Sequence, residues 1–196
     1  MKKSFLITMI SVLAVLGIGT SAAAFALNKS DNTTIRANRD VSKERIYNAN
    51  RKLESDRRKI ENKYAEQLSY KYEKDIESSD PYVVYDASLR ATREAFNLMD
   101  KEVIETVISV VKRAGYLPED YSYDKDYDIN DVDSYSRFLS AMCKTLNDGN
   151  FKMTTDEEDW FLSIISSEFE ASKRESGLYF DISDQTLKEM EETLAG

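Results

Sequence analysis

The longest uninterrupted apolar run lies at the start of the chain. After Met1-Lys2-Lys3, residues 5–19 (FLITMISVLAVLGIG) carry no charge, and the uncharged stretch continues to Leu27. A short basic start, an apolar run and then Ala24-Phe25-Ala26 follow the order of a secretory signal peptide, with the cut expected after Ala26 and residues 1–26 removed. The same 23 uncharged residues from Phe5 to Leu27 also suffice for an uncleaved anchor, since about 20 span a bilayer as a helix. Lys29, Arg36, Arg39, Lys43 and Arg45 outnumber Lys2 and Lys3, and by the positive-inside rule they favour keeping the rest of the chain on the cytoplasmic side. The A-x-A site and the very short N-terminus form the more specific pattern. The expectation is an extracytoplasmic body, periplasmic or secreted, with a single-span membrane-anchored protein as the alternative.

Past the leader the pattern turns helical. Residues 27–40 read as a polar linker in which, after Leu27, Ile35 is the only large apolar side chain. Residues 41–79 read as one long basic helix, with Ile46, Leu53 and Ile60 seven apart and Tyr64, Leu68, Tyr72 and Ile76 four apart, a single narrow apolar stripe. Ala49, Asp56 and Lys63 occupy the companion heptad positions and are mostly polar, which argues against a two-stranded coiled coil. This helix is expected either to lie against the acidic domain or to project as a stalk.

Residues 80–196 read as an acidic helical domain. Asp80-Pro81 starts a helix carrying the small-residue seam Val84, Ser88, Ala91, Ala95 and Leu98. A second start is expected at Asp100, opening a broadly apolar helix that Gly115 and Pro118 stop. Another helix is expected from Asp131 to Asn147. Thr155 and Glu158 are spaced as a capping box ahead of a helix through Phe169 that ends at Gly177. Leu178 to Ile182 is expected to be briefly extended, and Ser183 to cap a last helix through Leu194. The expected fold is therefore all-α: an irregular helical bundle preceded by a long basic amphipathic helix and an N-terminal signal peptide or anchor.

Charge divides the chain. Residues 29–74 hold 13 Lys or Arg against 8 Asp or Glu, whereas residues 75–196 hold 12 against 28, so a basic arm precedes an acidic domain. Either the two neutralise each other or the arm faces something anionic. Arg51, Arg57 and Arg58 are its candidate contacts, with an anionic membrane surface as one partner. A net charge of −9 argues against general nucleic-acid binding.

Histidine is absent, which excludes Ser-His-Asp and Cys-His chemistry within the chain. The single cysteine, Cys143, excludes an intrachain disulfide and is expected to be a buried small hydrophobe, with an intermolecular disulfide as the alternative. The acidic stretch 116–133 offers Asp124, Asp126, Asp128 and Asp133 as candidate calcium ligands. It departs from an EF-hand loop in having Ile129 at the glycine position and Tyr135 at the final glutamate position. Tyr121, Tyr123 and Tyr127 in the same stretch offer contact surface for a protein partner, or else pack the loop onto the bundle. No cofactor beyond calcium is expected. These features point to a non-enzymatic envelope or secreted protein that binds a protein partner through its helical domain. A membrane-anchored stalk or spacer is the alternative, and an envelope hydrolase working through Asp and Glu a third reading.

Overall fold

Helix is the only regular structure among the described residues of the computed structural model, which are 33–173 and 182–195. The all-α expectation holds. The leader or anchor and nearly all of the extended stretch before Ile182 lie outside the described residues.

Among the described residues seven helices follow in chain order: α1 (Thr33–Lys71), α2 (Glu73–Ile76), α3 (Pro81–Arg113), α4 (Tyr123–Asp126), α5 (Val132–Asn147), α6 (Thr155–Ser172) and α7 (Asp184–Ala195). The chain divides into two compact units. Among the described residues the first comprises Ser55–Val103 and the second comprises residues 33–54, 104–173 and 182–195. Thus α1 and α3 each contribute a segment to both.

Several helix ends fall where the sequence places them, for the expected reasons. The Asp80 carboxylate accepts the Tyr82 amide at 2.9 Å and starts α3. At its other end the Tyr116 amide reaches the Val111 carbonyl (3.1 Å) and the Gly115 amide reaches Lys112 (2.9 Å), a Schellman closure that needs the positive φ of 81° at Gly115. The Asp131 carboxylate caps α5 at the Ser134 amide (2.7 Å), and the Ser183 hydroxyl caps α7 at the Thr186 amide (3.3 Å).

Several boundaries differ. The long basic helix is interrupted at Tyr72, so that α1 ends at Lys71 and α2 covers Glu73–Ile76, and α6 ends at Ser172, with Lys173 as its C-cap, short of Gly177. The linker segment is already helical from Thr33. No second start exists at Asp100, because α3 runs unbroken to Arg113 and an exposed Asp without a following Gly or Pro does not stop a helix. The capping box uses Thr154 and Glu157, one residue earlier than expected, with Thr154 N–H donating to Glu157 Oε2 (2.8 Å) and Glu157 N–H to Thr154 Oγ1 (3.2 Å).

The first unit is an antiparallel helix pair. Ala65 and Leu68 of α1 meet Ala91 and Ala95 of α3, with Tyr64, Tyr72, Ile76 and Leu98 around them. Small residues at the seam let the two backbones approach closely. Polar clasps along the edges share one antiparallel register. Lys63 Nζ and Tyr64 Oη both donate to Glu102 Oε2, at 2.8 and 2.6 Å. Eight residues on, Lys71 Nζ and Tyr72 Oη both donate to Glu94, at 2.6 and 2.8 Å. Asp75 then pairs with Arg90 at 3.2 Å.

The second unit packs α5, α6 and α7 against one another, with Phe138, Leu139 and Met142, Phe161 and Ile165, and Met190 fully buried. Its α1 segment is tied to α6 by Ser163 Oγ donating to Asn50 Oδ1 (2.6 Å) and by the Arg45–Glu158 ion pair. Lys52 lies 3.5 Å from Asp156, and Arg113 pairs with Glu157 at 2.8 Å. Basic residues of the arm therefore meet acidic residues of the domain inside both units, which is the mutual neutralisation that the charge division allows.

Candidate interaction surface

The acidic stretch is held by its own side chains. Asp126 Oδ2 accepts the Ser122 amide (2.8 Å), and Asp128 Oδ1 accepts the Asn130 amide (2.8 Å) and its side-chain nitrogen (3.2 Å). Ser134 Oγ donates to the Asp126 carbonyl at 2.5 Å and accepts the Asp128 amide at 3.1 Å, closing the loop onto the start of α5. Asp124 and Asp133 are exposed, one on α4 and the other on the first turn of α5. Among the described residues no group of three or more carboxylate or thiol side chains is placed to hold a metal ion.

The loop tyrosines face inward. Tyr121 is 7% exposed, and its hydroxyl donates to the Asp126 carbonyl (3.3 Å). Burial, then the Asp126 carboxylate, pushes its phenol above the usual range. Tyr123 stacks on Tyr127 with ring centroids 5.3 Å apart, and Tyr127 in turn meets Phe138 edge-on at 5.0 Å. These contacts make the three rings a clasp for the loop.

Arg51, Arg57 and Arg58 lie along α1. Arg51 is exposed and sits 5.9 Å from the centre of the Tyr47 ring. Arg57 and Arg58 belong to the first unit, where Arg58 is exposed and Arg57 is half-buried with its Nε lacking a hydrogen-bond partner. Glu61, one turn on, is only 5% exposed, and its Oε1 likewise has no hydrogen-bond partner. Burial raises its carboxyl above the ordinary glutamate value, with Arg58 pulling it back down. Cys143 is buried as expected, and burial pushes its thiol up to about 11.

Among the described residues the most exposed aromatic surface lies elsewhere, on the first turns of α3. Tyr82 is 82% exposed, Tyr85 62% and Leu89 40%. Their spacing of three and four residues puts them on one helix face. Ala87, Ala91 and Ala95 form a different, fully buried face of the same helix. The small-residue seam is the more regular pattern in the sequence and masks this second stripe, although its spacing is the available signal. Asp86 and Arg93 are both exposed and, being seven residues apart, lie on one flank of the stripe. Asp86 pairs with Arg90 on its own helix at 2.9 Å.

No helix among the described residues is long and apolar enough to cross a membrane. The fold and surface define an all-α protein with an exposed aromatic helix face. No protein-family model, curated protein or solved structure matches the chain.

Proposed function

We propose that this is a non-enzymatic interaction protein of the cell envelope or exterior, exported by its N-terminal segment and engaging a protein through its helical body. The observation that carries the reading is the Tyr82, Tyr85 and Leu89 stripe. Tyrosines presented on a rigid helix supply large amphipathic contact area at low entropic cost, the property that enriches them at protein interfaces. The test is a photo-crosslinking amino acid placed at position 85 or, as control, at the exposed Lys188 of α7, in the producing cell. A discrete heavier adduct from position 85 and none from position 188 supports the reading. No adduct from position 85 overturns it.

The length of α1 favours a second reading, a membrane-tethered spacer. Its 39 residues extend about 58 Å at 1.5 Å per residue, and it begins only six positions after Leu27 in sequence. In that case Arg51 and Arg58, both exposed, are the cations available to anionic headgroups. N-terminal sequencing of the mature protein separates the two: a chain beginning at Leu27 removes the tether.

A further inference from the structure

The flank of the exposed stripe carries charges of opposite sign one heptad apart, Asp86 and Arg93. Two copies of such a helix laid antiparallel bring each acid opposite the other copy's base, so the pattern is complementary to itself. Self-complementarity is what an isologous interface requires. Arg93 has no acidic partner among the described residues, whereas Asp86 already has Arg90. A second positive group beside Asp86 is compatible with that pair, because a carboxylate offers about four lone-pair sites.

The other flank of α3 at this level is closed to a partner. Ser88 and Ala95 are buried, so only the Asp86 and Arg93 side remains open.

Resting on the reading of this stripe as an interaction surface, we infer that its partner is a second copy of the chain. The copies dock antiparallel across a twofold axis near Leu89, so that Asp86 of each meets Arg93 of the other.

The test is sedimentation equilibrium of the full chain in density-matched detergent, for the parent, Asp86→Arg, Arg93→Asp and the double variant. Circular dichroism checks that helix content is unchanged. Each single variant sets like charges against each other and is expected to weaken the dimer about tenfold, and the double variant to return within about threefold of the parent. A parent that is monomeric throughout, a dimer indifferent to the swaps, or a double variant as weak as the singles overturns the proposal. The crosslink at position 85 separates this failure from failure of the broader reading. An adduct whose mass is not twice that of the chain overturns self-pairing and leaves an interaction surface standing. Absence of any adduct overturns both.

Discussion

At Glu61 the chain carries a carboxylate where a neutral residue would serve the packing better. Its side chain is buried, one oxygen lacks a hydrogen-bond partner, and burial raises its pKa above the ordinary glutamate value. At pH below that ordinary value the group is protonated in both folded and unfolded chains and costs nothing. As pH rises past it the unfolded chain releases its proton first, so folding loses stability until the folded group has also ionised. Glu61→Gln is therefore expected to stabilise the protein at neutral pH by about 1 kcal/mol, and the gain should vanish in acid. Urea unfolding of parent and variant at two pH values measures this, and an equal gain at both would contradict the electrostatic origin. Cys143 offers a simpler check. Buried, with its thiol pushed up to about 11, it should react with a maleimide at neutral pH only after denaturant is added. The burial of Cys143 is legible in the sequence because Phe138, Leu139, Met142 and Leu146 set a helical stripe beside it. The predicament of Glu61 is not, because burial there depends on what covers α1.

Among the helices, those whose ends are set by local chemistry are readable and those set by tertiary contact are not. Asp80, Gly115, Asp131 and Ser183 each act through a bond to a residue at most five positions away, so their roles follow from the sequence alone. Gly115 is the strictest case, since its φ of 81° is costly for other residues although a Cβ there would meet nothing within 4 Å. Gly115→Ala is expected to cost about 1 kcal/mol, and Gly115→Asn less, because Asn tolerates the left-handed region. Thr154→Ala should cost a similar amount, about 1 kcal/mol, by leaving the Glu157 amide without its cap. Denaturant midpoints at unchanged slope would record both losses. The register between α1 and α3 in the first unit is beyond sequence reading. Lys63 and Tyr64, then Lys71 and Tyr72, look like ordinary surface residues until Glu102 and Glu94 come opposite them. Hydrogen bonds from Lys71, then Tyr72, hold Glu94 below the ordinary glutamate range, and Lys63, then Tyr64, do the same for Glu102. The sign is opposite to that of Glu61: this support is present above the ordinary value and lost as pH falls through the depressed one. The double variant Glu94→Gln, Glu102→Gln should accordingly be less stable than the parent at neutral pH and indistinguishable from it in strong acid.

For the molecule as a whole, the division into units leaves no mark in the sequence, because it falls between Glu54 and Ser55 in α1 and between Val103 and Ile104 in α3, with no Gly or Pro near either point. What the sequence does carry is a difference in the bulk of the buried side chains. Among the described residues the buried apolar side chains of the first unit are mainly small, Ala65, Ala87, Ala91 and Ala95 beside Leu68, Met99 and Val103, whereas those of the second include Phe138, Leu139, Met142, Phe161, Ile165 and Met190. Burying a large apolar side chain contributes roughly 1.5–3 kcal/mol, and an alanine methyl far less. Close approach along an alanine seam recovers dispersion contacts but cannot match that difference. The clasps on Glu94 and Glu102 are partly solvated and add little, as such pairs generally do. Local opening free energy should therefore be lower across Ser55–Val103 than through α5 and α6. Native-state hydrogen exchange reads this directly: amides at 61–70 and 88–98 should exchange at least about 30-fold faster than those at 138–145 and 162–168, a gap of about 2 kcal/mol. Equal protection in the two sets would mean that the alanine seam is stabilised by contacts outside the residues that define it.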